Sequence, residues 1–199
     1  AAAAREVQVR AGQLVDAWDP AKGNFVGTLE TAGPDNAVYP SVQLALNSVS
    51  DALFYLEREV KDMKLARPLG LRECDAETCP EQLESRFAAR SKANLRANLV
   101  GFRRVAEGCG EGFVGKGFDD LLEAVGSEPM AAKLRERLVA TEAALAAVDE
   151  PDLAQALAQD KASVRAFYDA LKAVTDVLKT ELVTVLDLEL PQSLEGDND

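Results

Sequence analysis

Lys64, Glu84, Ser85, Arg90 and Ser91 are the side chains of this 199-residue chain whose types and spacing best suit the binding of a ligand. Four of them share one short stretch, Glu84-Ser85-Arg86-Phe87-Ala88-Ala89-Arg90-Ser91. Glu84 would accept hydrogen bonds there, and Arg90 or Ser91 would donate them. An arginine fork matches carboxylate or phosphate geometry. A helix starting after Ser91 would turn its free N–H groups toward an anion. The same stretch also reads structurally, with Ser91 as an N-cap and Glu84 paired to Arg90 across a turn. Lys64 and Arg67 precede Pro68. They would either face a second half of a larger protein or place positive charge at a helix C-terminus, where the macrodipole favours it.

The chain contains no histidine. That excludes the two-histidine zinc motif of metallopeptidases, the Ser-His-Asp triad and the Cys-His pair. Ser-Lys catalysis remains open, but no spacing points to it. No residue is therefore assigned a catalytic role. The acidic end, with Glu195, Asp197 and Asp199, offers oxygen donors of the kind that hold Ca²⁺ or Fe³⁺, or it is a solubilising tail. Trp18 and Tyr39 would line a ligand surface or pack in a core. Cys74 and Cys79 lie in a loop-like stretch, RECDAETCP, with acidic flanks. A zinc site would need further ligands, so a local disulfide is expected, with two free thiols as the alternative. A disulfide would imply an oxidising compartment. Cys109 is left over.

The net charge is −12. Nucleic-acid binding needs clustered basic residues. The densest basic stretch is Arg86, Arg90, Lys92, Arg96, Arg103 and Arg104. Apolar residues interrupt it, and it reads as a salt-bridged helix face. No apolar run approaches the ~20 residues of a membrane span.

The elements that must position these groups are helices. After Pro40, residues Val42, Leu46, Val49, Leu53, Leu56, Val60 and Met63 recur at helical spacing, which predicts one long amphipathic helix stopped by Pro68 and Gly70. Pro40 fits its first turn. A second helix is expected from Ser91 to about Ala106, with Leu95, Leu99, Phe102 and Ala106 on one face. A short one follows at FDDLLEAV. Ser127 opens another, with Leu134, Leu138, Leu145 and Val148 inward. From Leu153 through Val164, Phe167 and Leu178 to Val185 the stripe predicts one unbroken helix ending near Pro191. No alternation long enough for a sheet is present. The expected fold is an all-α, up-and-down bundle. Its parts are a terminal helix at 1–20, a connecting loop at 21–38 with several glycines, the bundle at 39–190 and an acidic tail at 191–199.

Several of these segments, in order, resemble the imelysin-like family of bacterial periplasmic and surface proteins. They are KDMKLARPLGL at 61–71, ESRFAARS at 84–91, the following NLRANLVGFRRVAEG, FDDLLEAV, and the ending LDLELPQSLEGDND. The resemblance covers about residues 5 to 199. It corresponds to the C-terminal half of such a protein, plus the last helix of the N-terminal half. It implies a two-half fold, export to the periplasm or cell surface (with a lipid anchor upstream as one route), and iron-linked uptake or ligand binding at a site between the halves. It also carries a peptidase label. A purely structural or partner-binding helical module is the third reading. The family's Gly-x-His-x-x-Glu motif maps nowhere here, since it needs a histidine. The resemblance therefore implies that any metal ion, whether iron, zinc or calcium, is held mainly by residues of an N-terminal half outside this chain. That half would be the chief partner, beside a small ligand or metal.

Overall fold

Leucine and alanine at three- and four-residue spacings drive helix after helix in the computed structural model, which describes residues 2–110 and 112–194. The chain divides into two units, Ala1–Val49 and Ser50–Asp199.

The first unit holds α1 (Ala2–Trp18), α2 (Phe25–Glu30) and the start of α3 (Val42–Tyr55). The 21–38 connection is thus not all loop. Its glycines hide a six-residue helix, α2, capped by Asn24 in the left-handed region (φ 52°), whose side chain accepts from the Gly27 N–H. The side-chain amide of Asn36 donates to the Thr28 carbonyl at 2.7 Å, and its oxygen accepts from the Tyr39 N–H at 2.9 Å. Trp18 meets Phe25 edge-on at 5.0 Å, and Phe25 meets Tyr39 at 6.3 Å. Such pairs favour edge-to-face geometry and fix the turn between the helices. Pro40 lies outside the helix; Ser41 caps α3, its hydroxyl accepting from the Leu44 N–H.

The second unit is the bundle. Its rods are α3 continuing into a π-helix at Leu56–Ala66, then α4 (Ser91–Ala106), α6 (Glu128–Ala146) and α8 (Lys161–Val177), which continues through a π-helical stretch at Leu178–Leu182 into α9 (Val183–Val185). The short α5 (Phe118–Ala124) and α7 (Leu153–Gln159) pack beside α6 and α8. The core is built from Leu53, Val60, Leu65, Leu95, Leu99, Leu122, Leu134, Leu138, Leu145, Val164, Phe167, Leu171 and Val174, all essentially without solvent contact. The one extended pairing among the described residues is a two-residue hairpin, β1 (Cys109–Gly110) against antiparallel β2 (Phe113–Val114).

Three expectations from periodicity are corrected. The stripe from Val42 to Met63 does not stay inward at its far end: Met63 is 37% exposed. The reason is the change from α to π register after Tyr55. With N–H groups bonding five residues back, as Arg67 does to Asp62 and Leu71 to Ala66, the inward face becomes Leu56, Val60, Lys61, Leu65 and Ala66. The helix expected from Leu153 to about Pro191 breaks at Asp160 (φ −144°, ψ 61°), whose carboxylate caps α8 by accepting from the Ser163 N–H. Periodicity misses the break because Leu157 and Val164 keep the same face across it. Ser91 opens α4 but is its first residue, not its cap.

Cys74 and Cys79 form a disulfide with Cα atoms 6.0 Å apart. It closes the loop that leads from the π-helix to Glu84. A ring this small constrains the unfolded chain by about 2 kcal/mol in the loop-entropy account. Reduction should lower the unfolding free energy by about that amount, read as a drop in the urea midpoint with dithiothreitol present.

Candidate functional site

The π-helix sorts its charged residues into two sets. In an α-helix the run Glu57-Arg58-Glu59-Val60-Lys61-Asp62-Met63-Lys64 would spread its charges around the rod. In π register Glu57, Lys61 and Asp62 turn into the bundle, while Glu59, Met63, Lys64 and Arg67 line an open cleft.

The inward set is a chain of alternating charges. The Lys179 ammonium donates to Glu57 Oε1 at 2.7 Å. Lys61 Nζ lies 3.3 Å from the same oxygen and donates to Asp62 Oδ1 at 2.6 Å. Arg72 completes the chain at Asp62 Oδ2, 2.7 Å away. Glu57 and Lys61 have no solvent exposure, and Glu57 Oε2 is buried with no hydrogen-bond partner. Burial works against the Lys61 ammonium, but the Asp62 hydrogen bond and the charges of Glu57, Asp62 and Tyr168 outweigh it, so Lys61 titrates above its ordinary value. A raised lysine value contributes stability that is complete below the unfolded value, about 10.4, and is lost as pH rises through the folded one. Unfolding free energy should therefore stay level for this group through neutral pH and fall only above about pH 10.4. Urea titrations between pH 7 and 11 on wild type and Lys61→Met will show it: the variant should lose that part of the alkaline decline.

The outward set makes the cleft, a space of about 490 Å³ lined by Tyr55, Glu59, Met63, Lys64, Arg67, Gln82 and Glu84. Lys64 is its organising group. Its ammonium lies 3.2 Å from Glu84 Oε1, donates to Asn98 Oδ1 at 3.0 Å and to the Tyr55 hydroxyl at 3.3 Å, and sits 5.4 Å from the centre of the Tyr55 ring. Asn94 donates to Glu84 Oε2 at 3.2 Å and to Ser85 Oγ at 2.9 Å, and Ser91 Oγ accepts from the Ser85 N–H at 3.4 Å. The first turns of α4 thus pin the Glu84-Ser85 turn against Lys64. Arg67 pairs with Glu73 through one terminal nitrogen, while its Nε is buried and has no hydrogen-bond partner. An unmade bond to a buried donor costs about 1–3 kcal/mol.

Of the residues singled out by sequence, Lys64 and Glu84 meet directly in this cleft, and Ser85 and Ser91 brace Glu84 from behind. Arg90 does not join them. It is exposed, and the pairing expected between Glu84 and Arg90 is replaced by Glu84 with Lys64. Lys64 is not a solvated helix end, since its side chain is only 13% exposed. Sequence reasoning missed Tyr55, Glu59, Asn94, Asn98 and the cleft role of Arg67. A signal existed for Asn94 and Asn98: they lie four apart, so one helix face carries two amides beside a cation-rich segment. For Tyr55 and Glu59 no signal existed without the π register. Trp18 borders a shallow surface with Leu14, Val15 and Asp19 in the first unit.

The cleft does not fit a resident iron, zinc or calcium ion. Its carboxylates are Glu59 and Glu84, and Glu84 is committed to Lys64 and Asn94. Among the described residues no three His, Cys, Asp or Glu side chains converge as a metal would need. Glu195, Asp197 and Asp199 lie outside the described residues. No helix among those described is long and apolar enough to cross a membrane.

No curated protein and no solved structure matches the chain. A family model does: that of imelysin, described as Peptidase_M75, matches residues 1–179. With nine-tenths of the sequence inside that match and an all-helical bundle beneath it, the chain belongs to the imelysin family.

Proposed function

We propose that the chain is part of an exported imelysin-like protein that binds a ligand in iron-linked uptake, and that the Lys64–Glu84 cleft is its share of the binding site. The observation that carries the reading is Arg67: a buried Nε–H without an acceptor, in the wall of an open polar cleft where Lys64 and Glu84 already hold one another in place. Preorganised polar groups around a concave space of this size are what small-ligand sites have in common. The Cys74–Cys79 disulfide supports a periplasmic or surface location, because such bonds persist in oxidising compartments. An N-terminal half carrying the family's histidine motif would close the site from the other side and supply any metal ligation. Lys64 is engaged with Glu84, Asn98 and the Tyr55 hydroxyl, which supports a binding role for the cleft.

Growth under iron limitation tests this. A bacterial strain deleted for the gene should recover with wild type but not with the double variant Lys64→Ala, Arg67→Gln, with both proteins accumulating equally. Purified intact protein should leave casein uncleaved with and without chelator. Full recovery by the double variant, or chelator-sensitive cleavage, contradicts the proposal.

A further inference from the structure

The polar cleft does not end at Tyr55. A second cavity of about 340 Å³ begins on the same residue and runs between the end of α3 and α4, lined by Ala52, Tyr55, Leu56, Ala97, Asn98, Gly101, Phe102 and Val105. The two cavities have Tyr55 as a common lining residue, and the Lys64–Asn98 hydrogen bond ties a wall of one to a wall of the other. One is ringed by charge and the other is apolar. Gly101 opens the apolar one: a Cβ placed there would meet nothing within 4 Å. Glycine inside a helix is costly for the helix, and here its place is a wall of the groove.

The charges around the first cavity are balanced. Lys64 and Arg67 face Glu59 and Glu84. Lys64 and Glu84 already satisfy one another. The guanidinium of Arg67 is paired with Glu73, but its buried Nε–H lacks an acceptor, and the carboxylate of Glu59 has no hydrogen bond or ion pair among the described residues. A ligand bearing only a carboxylate would answer Arg67 but stand beside Glu59 unfavourably. One bearing only an amine would answer Glu59 and leave Arg67 unmade. Charge complementarity selects a ligand with both.

We infer that the joined cavities bind an apolar α-amino acid, free or at the end of a peptide. Its carboxylate accepts from Arg67 Nε, its ammonium faces Glu59, and its aliphatic or aromatic side chain passes Tyr55 into the groove beside Gly101. This rests on the cleft being a ligand site and names the class of ligand it takes.

Calorimetric titration of the full chain tests it with L-leucine, glycine, 4-methylpentanoate (leucine without its amine), isopentylamine (leucine without its carboxylate) and dileucine. L-leucine should bind at least tenfold more tightly than glycine, 4-methylpentanoate or isopentylamine. Gly101→Leu fills the groove, and leucine should then fall to the affinity of glycine while the thermal midpoint does not drop. Glu59→Gln should bring leucine down to the level of 4-methylpentanoate. Dileucine binding tenfold more tightly than leucine supports the class and makes a peptide end the source; weaker dileucine makes it the free amino acid. Equal binding of 4-methylpentanoate and leucine overturns the zwitterion and leaves the cleft a ligand site. No heat with any compound, or a Gly101→Leu protein that binds leucine as wild type does, overturns the inference. The growth assay reads uptake independently, so either result can fail alone.

Discussion

Lys61→Ala should lower the unfolding free energy by about 3–5 kcal/mol, the range for removing one partner from a buried ion pair. Lys61 is fully buried between Glu57 and Asp62. Taking the ammonium away leaves two carboxylates in the bundle with less positive charge to balance them. Lys179 still reaches Glu57, and Arg72 still reaches Asp62, which places the loss toward the lower end. Two further consequences separate this from simple cavity formation. Replacing both members, Glu57→Leu with Lys61→Met, should cost less than Lys61→Ala alone, because a buried pair exchanged for apolar volume is often near neutral. The π register should also loosen in Lys61→Ala, since Asp62, five residues from Glu57, joins Glu57 and Lys61 on the inward side only when the helix widens. Hydrogen exchange at the Arg67 and Leu71 amides, which bond five residues back, will report that loosening. Urea unfolding of the three proteins gives the energies.

Gly70→Ala should cost about 2–4 kcal/mol, through strain in the left-handed region and overpacking together. Gly70 has φ +81°, and a Cβ there would clash with the Glu77 carbonyl oxygen. That oxygen also accepts from Lys161 at 2.8 Å, so backbone from the disulfide loop is clamped to the start of α8 and has little freedom to move away. The Cys79 N–H donates to the Pro68 carbonyl at 2.9 Å within the same fold-back. Alanine must therefore push this loop outward, and Gln82 and Glu84 leave the cleft with it. Thermal unfolding gives the stability loss, and loss of the calorimetric signal for leucine at a temperature where the variant is still folded shows the effect on the cleft.

Much of the bundle is legible from apolar spacing alone. Leu95, Leu99, Phe102 and Ala106 sit inward as their repeat requires, and so do Leu134, Leu138, Leu145 and Val148. These faces are wide, uniform and α-helical throughout, so tertiary packing only confirms what local pattern dictates. The site is legible in part. Lys64 and Glu84 stand out as charges flanking turn residues, and the fold does bring them together. What sequence could not supply is the register of 56–66. A template of 3.6 residues per turn sends Asp62 to the side opposite Leu53, toward solvent, where charges usually belong. The π turn brings Asp62 inward beside Glu57 and Lys61 and leaves the cleft to Glu59, Lys64 and Arg67. No propensity scale distinguishes these outcomes, because the buried partners lie outside the helix itself: Lys179 from a distant part of the chain and Arg72 from the loop that follows. Arg90 failed for a related reason: its nearness to Glu84 in sequence is local, whereas the partner that wins, Lys64, arrives by long-range packing.

The most direct test is the Arg67 Nε–H resonance of ¹⁵N-labelled full chain during titration with L-leucine. An unpartnered buried donor that gains a carboxylate should move downfield and saturate with the same curve as the Tyr55 and Asn98 signals. If the Arg67 Nε–H resonance stays in place at saturating leucine, leucine does not bind in this cleft and the assignment of its ligand fails.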